Sequence, residues 1–259
     1  MAEPSAGPEA RSATRSATDA VPVLETRSLS ASYGGRRILE GVSVNVRAGE
    51  VVTIVGHNGA GKSTLLRAIF NLIPWRDGGV LLGGRDITGL APDRILAAGI
   101  AYIPQGRSNF PKLTVAENLR MGGYLLTDRR ELAARIARTE ELFPRLAERR
   151  GQLAGTLSGG EQRMLEIARS LLMEPRLVML DEPSIGLAPR MVDAVFDTVR
   201  RLRDDGRAVL MVEQNVRKAL EASDRGYVME LGEIRIEDSA AKLVGDPRVA
   251  RLYLGKRST

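Results

Sequence analysis

The most informative stretch of this 259-residue sequence is Gly56-His57-Asn58-Gly59-Ala60-Gly61-Lys62-Ser63-Thr64, called the P-loop below. It matches the pattern G-x-x-x-x-G-K-[ST], follows the β-branched run Val51–Val55 and precedes a segment with helical periodicity. Glycines in such a loop let backbone N–H groups converge on phosphate oxygens, and the following helix N-terminus adds partial positive charge. In this pattern Lys62 reaches the β- and γ-phosphates, and the Ser63 hydroxyl ligates Mg²⁺. The stretch therefore predicts a nucleotide-binding site.

Two carboxylates end another apolar run further along the chain. Leu177–Leu180 is typical of a buried strand, and Asp181 and Glu182 follow it directly. Asp181, at the carboxyl end of the strand, is placed to hold Mg²⁺, as the second acidic element of P-loop ATPases does. Glu182 is placed to polarise an attacking water as a general base. Strands often end in Asp-Glu, so the pair indicates nucleotide hydrolysis only in combination with the P-loop.

Strand and helix patterns alternate on both sides of the middle of the chain. Buried parallel strands are predicted at Val51–Val55, Leu177–Leu180 and Ala208–Val212, and amphipathic helices follow the first two. In the range 42–46, valines alternate with polar residues, which predicts one half-buried antiparallel strand. The expected fold class is therefore α/β, a P-loop NTPase core with a mainly parallel sheet and an N-terminal antiparallel β part.

The middle of the chain carries few strand signals and several helix signals. Thr114 with Glu117, and Ser158 with Glu161, fit the capping box S/T-x-x-E that begins a helix. We therefore predict a helical subdomain, about 112–173, inserted into the α/β core.

The first 21 residues differ in composition from the rest. Between Met1 and Val21 no apolar residue is larger than alanine, so this segment cannot bury enough surface to offset its ordering entropy. It also lacks the apolar centre of a secretory signal. We expect a disordered tail at 1–21 and one folded domain at 22–259.

Composition excludes several classes of function. The absence of cysteine excludes disulfides and thiolate metal sites, and a single histidine, His57, excludes a multi-histidine metal centre. The 38 basic and 32 acidic residues give a net charge of +6, but the arginines are scattered among acidic residues. We attribute this charge to solvated helix faces and expect no nucleic-acid partner. No apolar run reaches the roughly 20 residues needed to cross a bilayer.

A third motif identifies the family. Leu157-Ser158-Gly159-Gly160-Glu161-Gln162 lies between the P-loop and the strand that ends in Asp181. Alone it describes a capped helix after a glycine turn, with exposed N–H groups that suit an anion. In this order the three motifs resemble the ATP-binding cassette (ABC) ATPases from about Val23 to Gly255. The resemblance implies ATP and Mg²⁺ as ligands and makes 22–259 an ABC ATPase domain.

The resemblance implies roles for further residues. Two cassettes of that family close head-to-tail, so Ser158, Gly159 and Gly160 would contact the ATP that the partner's P-loop holds. Gln105 matches the glutamine that senses Mg²⁺ and the γ-phosphate. Tyr33 matches the aromatic residue that stacks on adenine, and a core tyrosine is the alternative.

The sequence departs from the family pattern at two positions. Gln214 stands where a histidine usually contacts the γ-phosphate, and we assign it that catalytic position with Lys62 and Glu182. Ala188 stands where the loop after Asp-Glu usually ends in aspartate. His57 occupies a variable position of the P-loop, so we expect a loop-shaping or an exposed side chain rather than a catalytic one.

Four segments narrow the resemblance to the importer ATPases for branched-chain amino acids: Pro104-Gln105-Gly106-Arg107, Ser184-Ile185-Gly186-Leu187-Ala188-Pro189, Val212-Glu213-Gln214-Asn215 and Tyr253-Leu254-Gly255. Importer ATPases for urea and short-chain amides share them. The resemblance implies a peripheral protein at the cytoplasmic face of a bacterial inner membrane. Its partners would be a second cassette (a sister or a second copy), two membrane permeases and, indirectly, a solute-binding protein. Gly106 to Tyr124 would form much of the permease contact.

Two classes of protein remain as alternatives. The first is a soluble cassette ATPase that acts on nucleic acid or in cofactor assembly. Repair-type members carry long coiled coils and translation-associated members carry a second cassette, and this sequence has neither. A small-molecule P-loop kinase would leave the motif at 157–162 unexplained.

Overall fold

The computed structural model describes residues 21–254. The predicted tail, apart from Val21, therefore lies outside the described residues, and so does Gly255, the last residue of the segment Tyr253-Leu254-Gly255. The strands in chain order are β1 Leu24–Tyr33, β2 Arg36–Val42, β3 Asn45–Val46, β4 Val51–Val55, β5 Trp75–Leu82, β6 Arg85–Asp86, β7 Ile100–Ile103, β8 Leu177–Asp181, β9 Ala208–Val212, β10 Arg225–Glu230 and β11 Glu233–Ser239. The helices are α1 Lys62–Ile69, α2 Pro92–Ala98, α3 Val115–Gly122, α4 Arg129–Leu142, α5 Pro144–Glu148, α6 Gly159–Leu171, α7 Pro189–Asp204, α8 Val216–Glu221, α9 Ala240–Gly245 and α10 Pro247–Leu254, with a 3₁₀ helix at Ala154–Thr156.

The larger sheet is mainly parallel and has the strand order β11-β10-β4-β9-β8-β7, with only the edge strand β11 antiparallel. Every residue of β4, β8 and β9 is buried. This burial explains why the three predicted parallel strands are continuous apolar runs, and their predicted positions are confirmed. Because the strands are parallel, the carboxyl ends of β4, β7, β8 and β9 meet at one edge of the sheet.

Successive residues of the central strands point into two different cores. Met179 of β8 packs in a cluster with Leu24 of β1 and Leu65 of α1, between the parallel sheet, the antiparallel sheet and α1. Its neighbour Val178 packs on the other face, in a cluster with residues of α6 and α7 such as Leu165 and Phe196. The period of two along a strand thus divides its side chains between the two layers.

The N-terminal sheet is antiparallel, with the order β2-β1-β5-β6 and β3 paired with β1. The prediction of one strand over 42–46 is wrong in detail, because β2 ends at Val42 and β3 begins only at Asn45. Thr26 explains the interruption: its hydroxyl donates to Val42 O at 3.1 Å and accepts from Val44 N at 2.9 Å. The valines at 42, 44 and 46 are buried, whereas Ser43 is exposed and Asn45 is partly exposed, so the predicted alternation of burial along this segment is confirmed.

The chain between β7 and β8 is helical and includes α3, α4, α5 and α6. Both predicted capping boxes are confirmed, at Thr114 for α3 and at Ser158 for α6. These helices lie within 112–173, and the interpretation of that range as a separate subdomain stays a prediction. Of the helices in residues 21–254, none combines the length and the apolar character that crossing a bilayer requires.

Candidate nucleotide-binding site

The P-loop connects the carboxyl end of β4 to the first turn of α1, and two of its glycines are required by close approach. A Cβ atom at Gly56 would lie 2.1 Å from the Met229 carbonyl oxygen. Gly61 has φ +106°, and a Cβ there would lie 2.9 Å from Leu39 Cδ2. No L-amino acid with a side chain fits at either position without moving its neighbours. The two glycines therefore permit the backbone conformation in which the N–H groups of such a loop bind a phosphate.

Lys62 is the first residue of α1, and its side chain folds back over the P-loop. It is 4% exposed, and its ammonium donates to the carbonyls of Gly56 at 2.9 Å and His57 at 3.1 Å. Burial lowers the pKa of Lys62, while the nearby carboxylates Glu182 and Asp181 favour its charged form. The cation is therefore held inside the loop, close to both acidic residues.

Ser63 and Asp181 are in direct contact although they are distant in sequence. The Ser63 hydroxyl donates to Asp181 Oδ1 at 2.7 Å, and the Tyr102 hydroxyl donates to Asp181 Oδ2 at 3.0 Å. Asp181 is fully buried. Burial, followed by the charge of Asp181, raises the pKa of Tyr102, so that phenol remains a donor. Sequence analysis did not identify Tyr102, although its place on the strand just before Gln105 was a usable signal.

Glu182 and Gln105 follow neighbouring strands and are joined by their side chains. Gln105 Nε2 donates to Glu182 Oε2 at 2.9 Å. Glu182 is 8% exposed and has φ +46°, the left-handed region that a residue with a side chain seldom adopts. Burial raises the pKa of Glu182, Lys62 opposes that rise, and Asp181 and Glu213 add to it. A carboxylate with a raised pKa is a stronger proton acceptor than an ordinary glutamate.

One cleft of about 450 Å³ is lined by Lys62, Ser63, Gln105 and Glu182, but not by Asp181 or Tyr102. Its lining residues include ten predicted site residues and two isoleucines that sequence analysis did not identify: Tyr33, Ile38, Asn58, Gly59, Gly61, Lys62, Ser63, Thr64, Gln105, Glu182, Ile185 and Gln214. Tyr33 is 39% exposed, which favours an exposed ring for stacking over the alternative of a core tyrosine. Gly56, His57 and Ala60 belong to the P-loop but do not line the cleft, and the His57 side chain is exposed.

The motif at 157–162 lies elsewhere on the chain. Ser158 caps α6, and neither it nor Gly159 or Gly160 lines the cleft around the P-loop. Ser158 and Gly159 are exposed, and a Cβ atom at Gly160 would lie 2.4 Å from the Met191 side chain. Ten of the predicted site residues therefore line the cleft, and Ser158, Gly159 and the buried Gly160 lie apart from it at the start of α6.

The chain matches the family model described as ABC transporter over residues 39–185. It is 45% identical to the high-affinity branched-chain amino acid transport ATP-binding protein BraG of Pseudomonas aeruginosa, over 90% of this chain and 100% of that protein. It is 39% identical to the probable branched-chain amino acid transport ATP-binding protein LivF of Archaeoglobus fulgidus, over 90% and 99%. It is 34% identical to the lipopolysaccharide export system ATP-binding protein LptB of Escherichia coli, over 90% and 97%.

Solved structures agree with these relatives. A nucleotide-free ATP-binding cassette from an ABC transporter has a TM-score of 0.81 at 30% identity, covering 91% of this chain and 100% of that chain. Another such cassette, in its ADP conformation, has a TM-score of 0.82 at 29% identity, covering 91% and 99%. The expected α/β fold class and the expected family are confirmed. The chain belongs to the ABC transporter family, as one of its ATP-hydrolysing cassettes.

Proposed function

We propose that this chain is the ATPase subunit of an importer for branched-chain amino acids and that the cleft around the P-loop is its hydrolytic site. The observation that carries the hydrolytic part is the position of Glu182, next to Asp181, bonded to Gln105 and facing the same cleft as Lys62. The assignment of branched-chain amino acids as the solute is supported by sequence similarity. The chain is 45% identical to BraG and 39% identical to LivF, but only 34% identical to LptB.

ATP binding follows from the charges of the P-loop. In this proposal, phosphate oxygens accept hydrogen bonds from the loop N–H groups, and the Lys62 ammonium exchanges its carbonyl partners for them. Hydrogen bonds between charged groups are about twice as strong as neutral ones, which favours this exchange. Tyr33, at the exposed side of the cleft, would stack on the adenine ring.

The donor set around Ser63 and Asp181 fits Mg²⁺. A hydroxyl and a buried carboxylate are hard oxygen ligands, and they already lie 2.7 Å apart. The described residues contain no cluster of three or more acidic or histidine side chains that would form an all-protein metal site. This suits Mg²⁺, which usually takes one or two protein ligands together with phosphate and water. When bound, it neutralises charge on the β- and γ-phosphates.

In the chemical step, water attacks the γ-phosphate, the bond from the γ-phosphorus to the β–γ bridging oxygen breaks so that ADP leaves, and Glu182 accepts the proton of the water. Its raised pKa strengthens it as a base, and the hydrogen bond from Gln105 fixes the direction of its carboxylate. Gln214, which also lines the cleft, donates to the γ-phosphate in the place of the usual histidine. The start of α6, where Ser158 and Gly159 are exposed and Gly160 is buried, completes the site of a second cassette.

The permease contact is proposed at an apolar groove of about 460 Å³ between β7, α3 and α6. Phe110, Met121 and Tyr124 line it and are 43%, 44% and 59% exposed. Pro104 also lines the groove, and Gln105, the next residue in sequence, lines the cleft. A permease segment bound in the groove would therefore contact the residue that precedes Gln105. Peripheral association with the cytoplasmic face of the membrane follows from this contact.

Uptake by intact cells tests the proposal. Deletion of the gene should abolish high-affinity uptake of labelled leucine, isoleucine and valine and leave urea uptake unchanged. The wild-type gene should restore uptake and a Lys62→Ala gene should not. Loss of urea uptake alone would assign the chain to a urea importer, and unchanged uptake of every solute would contradict the transport function.

A further inference from the structure

Glu213 is an almost fully buried carboxylate whose two oxygens both accept backbone hydrogen bonds. It is 1% exposed and follows β9 directly. Oε1 accepts from the Ser184 N–H at 2.8 Å, and Oε2 accepts from the N–H groups of Gln214 at 2.9 Å and Asn215 at 3.1 Å. A buried carboxylate is costly unless its lone pairs are used in this way.

The three donors belong to two different loops of the hydrolytic site. Ser184 lies two residues after Glu182, in the loop that follows β8, whereas Gln214 and Asn215 lie in the loop that follows β9. The strands are neighbours, with Asp181 opposite Val212, and the Glu182 N–H donates to Val212 O at 2.9 Å. Beyond that bond the ladder ends, and the Glu213 carboxylate continues the connection between the loops.

A local role for Glu213 does not account for the bond to Ser184. The start of α8 is capped by Asn215, whose side chain accepts from the Lys218 N–H. If Glu213 served only to end β9, it would need contacts within 213–215 alone. Its Oε1, however, accepts a hydrogen bond from Ser184, a residue 29 positions earlier in the sequence. The carboxylate is therefore shared between the loop of Glu182 and the loop of Gln214.

We propose that Glu213 is a positioning residue for ATP hydrolysis, which sets the distance between the Glu182 carboxylate and the Gln214 amide by binding the backbone of both loops. The proposal rests on the proposed roles of Glu182 and Gln214. A carboxylate is required because it offers two acceptor oxygens. Glutamine offers one, and its NH₂ group would face a backbone N–H on the other side.

The kinetic test uses the assembled transporter with Glu213→Ala and Glu213→Gln. Displacing reacting groups by about 1 Å can lower a rate about a hundredfold, so the kcat for ATP should fall roughly tenfold to a hundredfold in Glu213→Ala and less in Glu213→Gln. The KM for ATP should stay within about threefold of wild type, because the P-loop contacts are untouched. The control for Glu213→Gln is Asp224→Asn, which replaces an exposed carboxylate that accepts the Val51 N–H at 2.8 Å and pairs with Arg203, at the opposite edge of the same sheet.

Hydrogen–deuterium exchange on the isolated 259-residue chain provides the second readout. Exchange should accelerate in Glu213→Gln at Ser184 and at Gln214 together, and Asp224→Asn should change neither. Acceleration confined to 213–215, or a kcat no lower than that of the Asp224→Asn control, would overturn the proposal. If Glu182→Gln proves active, the assignment of the base fails instead, and the exchange result still decides whether Glu213 links the two loops.

Discussion

The side chains of Gln105 and Glu182 form a hydrogen bond of 2.9 Å between the ends of two adjacent parallel strands. Ile103 of β7 lies opposite Leu180 of β8, so the residues that follow these strands meet at the same edge of the sheet. Gln105 is also next to Pro104, which lines the apolar groove. One side chain thus connects the proposed general base with the proposed permease contact.

Glu182→Gln should retain ATP affinity and lose nearly all turnover. The amide can still accept the hydrogen bond from Gln105, but it cannot accept a proton from water. A general base typically contributes 10²–10⁴-fold, so kcat of the assembled transporter should fall by roughly that factor. Equilibrium binding of ATP measures the retained affinity, and the steady-state ATPase rate measures the lost turnover. Turnover within about threefold of wild type would contradict the assignment.

The same substitution should stabilise the nucleotide-free chain at neutral pH. The pKa of Glu182 is higher in the folded chain than in the unfolded chain, so the ionised carboxylate opposes folding above the raised pKa. Below the ordinary glutamate pKa the side chain is protonated in both states, and the penalty disappears. The melting temperature of Glu182→Gln should exceed that of wild type at pH 7.5, and the difference should shrink as the pH falls toward 4.5. If the difference in melting temperature does not depend on pH, the effect comes from packing and not from the charge of Glu182.

Lys62→Ala should weaken ATP binding. A hydrogen bond to a charged group is worth about 1.5–3 kcal/mol, which corresponds to roughly a tenfold to hundredfold rise in Kd. Lys242→Ala is a suitable control, because Lys242 lies on α9 and forms an exposed ion pair with Asp238 of β11 at 3.1 Å. Titration with a fluorescent ATP analogue measures both variants. An unchanged Kd for Lys62→Ala would refute the phosphate-binding role of the loop.

Gln214→Ala should lower turnover roughly tenfold to a hundredfold, because it removes one donor to the charged γ-phosphate in the transition state. Nucleotide affinity should change less. Gln214→His should remain active and add a titration near pH 6.5 to the rate profile, since imidazole ionises there and an amide does not. Both are measured as ATPase rates of the assembled transporter. A kinetically silent Gln214→Ala would show that Gln214 merely ends the strand.

Features that depend on short stretches of sequence could be predicted. A β-branched run identified β4, apolar runs identified β8 and β9, and the S/T-x-x-E spacing identified the caps at Thr114 and Ser158, because these signals arise within a few residues. The P-loop pattern was equally local, although the contacts that require glycine at Gly56 and Gly61 come from Met229 and Leu39, which lie outside the loop.

Features that depend on which strands are neighbours could not be predicted. The contact of Tyr102 with Asp181 exists because β7 pairs with β8, and no local pattern gives that pairing. The contact of Glu213 with Ser184 could not be predicted for the same reason, because it exists only where β8 pairs with β9. The interruption at 43–44 depends on Thr26, a residue of another strand.

The separation of the cleft from the first turn of α6 affects how ATP consumption depends on the amount of protein. If each nucleotide needs the P-loop of one cassette and Ser158, Gly159 and Gly160 of another, hydrolysis is at least second order in cassette concentration while the cassettes are free. Permeases that hold two cassettes side by side replace that concentration with a fixed, high local one. Division of the site between two surfaces then keeps a surplus of unassembled cassettes from consuming ATP.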